Sequence, residues 1–127
     1  MGMMMQVPGA GGGGYVDRGD PGTYDYSQAT WSTTGAWTDQ DLSGIVPAGA
    51  KAVLLRLELR DAAVGTVLKL RENGNSNDSN AAQRRILVAD QNHLTDMVVA
   101  CDSNRVIEYY LTAAFDWIRA TVAGWWL

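Results

Sequence analysis

Between residues 51 and 60 the chain alternates. Val53, Leu55, Leu57 and Leu59 occupy one set of positions, while Arg56, Glu58 and Arg60 occupy the other. A two-residue period sends the two sets to opposite faces of an extended segment, which predicts a strand with one buried side. Residues 66–71 repeat the form, with Leu68 and Leu70 inward and Lys69 and Arg71 outward. Residues 85–89, 95–101, 105–111 and 117–126 read as further strands. Polar, turn-forming stretches separate them at 61–65, 73–80, 90–93, 102–104 and 112–116. No segment sustains a 3.6-residue period, although residues 81–88 have room for one helical turn. Short strands at near-regular spacing predict an all-β fold, an antiparallel β-sandwich of jelly-roll-like form.

Composition divides this picture in two. The chain has 127 residues, the size of one ordinary domain, and 14 glycines, eight of them within the first 22 positions. Residues 1–14 hold four methionines, Pro8 and the run Gly11-Gly12-Gly13-Gly14. Such a stretch has too little side chain for a core and loses much backbone entropy when fixed. The expected organisation is therefore a Gly-rich arm and polar loop over 1–30 and a β-sandwich domain over 31–127. The arm reads either as a leader with no fold of its own or as a segment held by another chain.

Charge follows the same division. Residues 1–50 carry Arg18 against Asp17, Asp20, Asp25, Asp39 and Asp41, and residues 51–127 are balanced. A net charge of −4 with no basic cluster argues against a nucleic-acid partner, because phosphate neutralisation needs a Lys/Arg surface. No apolar run approaches the ~18 residues of a membrane span, so no membrane insertion is expected. The first residues lack the basic region of a signal peptide, and Gln6 stands where an acylation signal has Ser or Thr. Cys101 is the sole cysteine, which excludes an internal disulfide, and His93 the sole histidine, which excludes Cys/His zinc patterns. No cofactor or metal site is expected.

Several motifs carry chemistry on paper. Arg18-Gly19-Asp20 matches an integrin-binding tripeptide, but three common residues in a Gly/Asp-rich loop recur by chance. The loop from Asn73 to Asn80 is rich in side-chain oxygens, yet only Asp78 brings the charge that calcium wants, so a solvated hairpin loop is the better reading. Asn77-Asp78-Ser79 is a glycosylation sequon, relevant only in a secretory pathway. His93, Cys101, Asp102 and Ser103 supply the letters of a nucleophilic site without the Gly-flanked elbow that exposes a nucleophile. Cys101 reads better as a small buried apolar group, and 102–104 as a plain turn. Glu58 and Glu108 are candidates for paired carboxylates, but an ion pair with one of the eight arginines is preferred for a strand glutamate such as Glu108. No catalytic residue is assigned.

Tryptophan is the unusual component: Trp31, Trp37, Trp117, Trp125 and Trp126 against a single Phe115. Adjacent strand residues face opposite ways, so only one of Trp125 and Trp126 enters the core. The other contacts a protein partner, a sugar ring, or the 1–30 segment of its own chain.

The order of residues over about 37–127 adds a resemblance. Asp41-Leu42-Ser43 and Ile45 to Lys51 lead into the first long strand. Arg71, the Asn73–Asp78 loop, Val98, Cys101-Asp102 and Ile107-Glu108-Tyr109 follow, then Trp117, Ile118, Val122 and Gly124-Trp125-Trp126. This order resembles small uncharacterised β-sandwich domains of bacteriophage and prophage structural proteins. The resemblance implies a non-enzymatic virion structural protein; 127 residues leave no room for a fibre shaft, which favours a capsid decoration or head-surface protein that oligomerises and docks through its N-terminal arm. Its expected partners are other virion subunits, either copies of itself or a capsid or tail protein. The expected docking residues are Met3, Met4, Met5, Val7, Gly11, Gly12, Gly13, Gly14, Tyr15, Trp125 and Trp126. The alternative is a carbohydrate-binding module of a phage tail that grips a host glycan through exposed Trp and Tyr.

Overall fold

The computed structural model describes residues 13–127, which form nine strands and no helix. They are β1 (Tyr15–Asp17), β2 (Tyr26–Ser27), β3 (Thr38–Asp41), β4 (Ala52–Arg60), β5 (Val67–Glu72), β6 (Ala82–Arg85), β7 (His93–Ala100), β8 (Val106–Leu111) and β9 (Trp117–Trp126). Two antiparallel sheets result. One has the order β1-β9-β4-β7, with β2 also on β9, and the other the order β3-β8-β5-β6. From β2 onward the chain changes sheet at every connection except the β5–β6 hairpin. The fold is thus an antiparallel β-sandwich, as the alternation predicts.

The inward faces follow the period of two. Val53, Leu55, Leu57 and Leu59 of β4 are buried with Ile118, Ala120 and Val122 of β9 and Met97 and Val99 of β7. Leu68 and Leu70 of β5 and Ile107, Tyr109 and Leu111 of β8 close on them from the other sheet. The segment expected to run as a strand over 85–89 does so earlier. Its β6 spans Ala82–Arg85, in place of the helical turn allowed there, and only Ile86 of the following apolar residues is buried. Leu87 and Val88 sit in an exposed loop. Arg71 points outward as expected, yet it is buried beneath Trp37, with its guanidinium carbon 3.8 Å from the ring centroid.

Residues 15–27, read from sequence as loop, contribute two short strands. β1 pairs with Gly124–Trp126 and β2 with Arg119–Ala120, so together they form one interrupted edge of β9. Between them the chain makes an excursion that Arg18 and Asp25 close. Arg18 donates to both carboxylate oxygens of Asp25 at 2.6 and 3.0 Å and to the Val122 carbonyl, and Val122 N–H donates to Asp25. This half-buried bidentate pair replaces the ladder that β9 lacks between the two strands. It also occupies the Arg18 of the Arg-Gly-Asp tripeptide.

The same segment ends in a three-ring stack. Trp31 is fully buried between Tyr26 of β2 and Tyr109 of β8, with centroids 5.4 and 5.3 Å away and both interplanar angles 15°. Its indole N–H donates to the Gln40 side chain on β3 at 3.0 Å. One side chain therefore joins both sheets on this flank, with its polar atom satisfied.

Two predictions follow from this stack. Trp31→Ala removes the largest ring of the core and is expected to cost about 3–5 kcal/mol in urea unfolding, whereas Trp31→Phe costs less. Burial, with help from Asp25, raises the Tyr26 pKa from 10.0 to about 12. The folded state thus holds this proton more tightly than the unfolded chain, so the stabilisation is complete below pH 10 and lost as pH rises towards 12. Alkaline titration followed by tyrosinate absorbance and by unfolding is expected to show a late transition that is lost in Tyr26→Phe.

Candidate binding surface

The C-terminal tryptophans are sorted by a bulge. The pairing of β4 with β9 runs from Leu55 opposite Val122 to Leu54 opposite Gly124, so Ala123 is an extra residue. Without it, Trp126 would share the inward face of Ile118, Ala120 and Val122. With it, Trp125 lies opposite buried Val53 and packs against the core, while Trp126 lies opposite Ala52 on the outer face. Tyr15 then meets Trp126 at a centroid distance of 5.0 Å, and its hydroxyl donates to the Ala123 carbonyl at 3.2 Å.

Glycine is required beneath this aromatic lid, because a Cβ on Gly124 would overlap the Tyr15 ring and the Val16 carbonyl. Gly13 likewise runs hard against the Leu127 backbone, and Leu127 N–H donates to the Gly14 carbonyl at 3.3 Å. Four of the expected docking residues are thus engaged by their own chain: Gly13, Gly14 and Tyr15 along β9, and Trp125 in the core. Trp126 is half-buried under Tyr15. Met3, Met4, Met5, Val7, Gly11 and Gly12 lie outside the described residues.

Tyr15, Val16 and Leu127 keep about two-fifths of their surface open on this flank, and the most exposed apolar side chains lie elsewhere. Val64, Leu87, Val88, Leu94 and Val98 are each more than half exposed, with Leu94 at 72% and Val98 at 58%. Leu94 and Val98 face outward from β7, an edge strand paired only with β4. The loop bearing Leu87 and Val88 is tied to the start of that strand, since both backbone N–H groups donate to His93 Nε2. The loop bearing Val64 joins it through Gly65 N–H to the Ile86 carbonyl at 2.8 Å and Asp90 N–H to the Asp61 carbonyl at 2.9 Å. One edge and one end of the sandwich therefore gather branched apolar side chains.

The candidate nucleophilic residues are kept apart. His93 opens β7 and Cys101 follows its last residue, which places them about 25 Å apart along an extended strand. His93 Nδ1 lies 2.8 Å from the Gln91 carbonyl, so the proton is assigned to Nδ1 and Nε2 is left to accept from the loop. Cys101 is buried against the Ala50 carbonyl, and burial, then Asp102, pushes its thiol pKa up.

Asp102 caps the β7–β8 turn. It accepts from Asn104 and Val106 N–H at 2.9 Å and from Asn73 Nδ2, which holds Arg105 at a φ of 64°. Burial raises the Asp102 pKa, but these donors outweigh it and the carboxyl lies below the ordinary range. Ser103 is exposed on that turn.

Glu58 and Glu108 stand on the outer faces of opposite sheets, too far apart for a carboxylate pair. Glu58 accepts from Asn92 at 2.8 Å. Glu108 takes Arg71 Nε at 2.7 Å, the ion pair its strand position suggests. Asp78 of the Asn-rich loop contacts Lys69 at 3.0 Å and Arg71 at 3.5 Å, so its charge is used inside the protein.

A further cluster on the outer face of the first sheet was only half legible. Trp117 and Arg119 are two apart and so share a face of β9. The Arg119 guanidinium carbon lies 4.0 Å from the Trp117 ring centroid and 4.8 Å from that of Tyr24, and Arg60 lies over Trp117 at 5.5 Å. Tyr24 arrives from the Arg18–Asp25 excursion, which no sequence periodicity marks.

Comparison with protein-family models and with curated proteins finds no match for this chain.

Gly124→Ala is expected to destabilise by about 1–3 kcal/mol, since backbone as well as the Tyr15 ring stands in the way. Thermal unfolding should show the loss, and Tyr15→Ala in the same background should recover only part of it because the Val16 carbonyl remains.

Proposed function

We propose that this protein is a non-enzymatic structural subunit of a bacteriophage particle, a capsid decoration or head-surface protein that self-associates and docks on a larger lattice. The observation that carries this reading is the apolar edge formed by Leu94 and Val98 with Leu87, Val88 and Val64. Concentrated exposed apolar surface marks interaction sites, and an unpaired strand edge is a template for another chain.

Two further points support the reading. Counting β1 and β2 as one interrupted edge, the orders β1-β9-β4-β7 and β3-β8-β5-β6 fit an eight-position jelly roll. That architecture recurs in viral capsid and lectin domains, an analogy of fold. Gly13 and Gly14 lie beside Leu127 on the flank opposite β7, so the point where residues 1–12 join the sandwich and the apolar edge are on opposite sides of one copy. Such a head-to-tail relation builds rings or lattices.

A second reading, a carbohydrate-binding host-recognition module of a phage tail, is favoured by the stack of Tyr24, Arg119 and Trp117. Both readings place the protein in a virion.

Val98→Asp puts a second carboxylate beside Asp96 on the outer face of β7 and is expected to weaken self-association about tenfold or more in sedimentation, with the monomer still folded. Deletion of residues 1–12 is expected to lower incorporation into particles. Unchanged sedimentation for Val98→Asp together with undiminished incorporation of the truncated chain would contradict the assembly reading.

A further inference from the structure

Arg119 is set up to hold an anion. Its cross-strand partner on the outer face is Glu58, yet the two do not pair. Glu58 turns to Asn92, and Arg119 lies between the rings of Tyr24 and Trp117. Among the described residues no ion pair reaches Arg119, and its buried Nε has no hydrogen-bond partner. Stacking on two aromatic faces fixes the guanidinium plane and lowers the entropy lost when its fork is used. A fixed and unpaired guanidinium is a receptor for a carboxylate.

The surroundings narrow the ligand. A depression of about 250 Å³ beside Arg119 is lined by Tyr24, Arg56, Glu58, Leu94 and Thr121. It is smaller than a typical drug-sized site and suits a single ring. Arg56 and Arg119 face Glu58 in its lining, and Asp96 beside Arg56 balances the local charge, so the anion preference rests on the unpaired Arg119 fork. Arg56 is held only loosely, 3.7 Å from exposed Asp96. Exposed Leu94 and the Tyr24 ring, 40% exposed, provide apolar contact, while Glu58 and Thr121 can accept from hydroxyl groups. We propose that this depression binds a carboxylated sugar, a uronate-type residue of an acidic glycan. Its carboxylate meets the Arg119 fork, its hydroxyls face Glu58 and its ring lies against Tyr24 and Leu94. The proposal rests on the glycan-binding reading and specifies its ligand class.

The test is a titration of the full chain, by isothermal calorimetry and by amide shifts, with methyl β-glucuronide, methyl β-glucoside and a blocked Glu-Glu dipeptide. The glucuronide is expected to bind at least about tenfold more tightly than either of the others. Arg119→Lys keeps the charge but loses the fork, so it is expected to abolish this preference, and Tyr24→Ala to weaken both sugars. Thermal unfolding of each variant checks that the fold is kept, and Arg56→Gln, an exposed change, provides a second variant that should weaken the glucuronide alone. Equal binding of the two sugars overturns the acidic specificity while leaving glycan binding in place. Binding of neither sugar overturns both, and preference for the dipeptide assigns the site to a protein carboxylate instead.

Discussion

The indole of Trp31 is the point on which this sandwich closes. Its two faces are taken by Tyr26 from one sheet and Tyr109 from the other, and its N–H by Gln40 from β3. Because Trp31 follows β2, its burial also fixes where residues 15–30 run. Once Tyr26 is held in the stack, β2 lies on β9, the Arg18–Asp25 pair closes the excursion, and Tyr15 reaches Trp126. The aromatic residues that look from sequence like a binding surface are thus largely consumed in joining the N-terminal segment to the domain.

That consumption determines which surface remains. The β1 flank of the first sheet is partly covered, with Tyr15, Val16 and Leu127 about two-fifths exposed, and the opposite flank, β7 with its two neighbouring loops, keeps its apolar side chains more open. The loops are held there by polar groups. His93 accepts two backbone N–H groups, and Asp61 and Ile86 carbonyls tie one loop to the other. An apolar edge supported by this much hydrogen bonding is a fixed feature of the fold. The outer face between the flanks carries the arginine–aromatic stack, so the proposed assembly and the proposed ligand capture would draw on largely separate side chains, with Leu94 shared.

The long strands were legible because β4, β8 and β9 carry alternating buried positions and β5 alternates leucine with a cationic residue from Leu68 to Arg71. β3 was not, since Thr38–Asp41 is wholly polar and its one inward polar group of consequence, Gln40, has value only once Trp31 is in place. β1 and β2 are too short to show a period. The assignment of Trp125 and Trp126 failed to reduce to parity because the extra residue at Ala123 reverses it, and Gly124 was the sole cue. The Glu108 ion pair was legible in kind, but burial of its partner Arg71 depends on Trp37, which comes from another element. At the candidate ligand site, the shared face of Trp117 and Arg119 was readable and the approach of Tyr24 was not.

Residues 15–31 are part of the sandwich, and the β7 edge is the proposed surface for partners. Hydrogen exchange measured on the dilute chain and on the concentrated or particle-bound chain tests both in one experiment. Strong protection of Tyr26, Trp31 and Ala120, the β9 residue opposite Tyr26, is expected in both states, with new protection on association confined to residues 86–100. New protection at residues 15–27 and 123–127, with the β7 edge unchanged, would contradict that assignment.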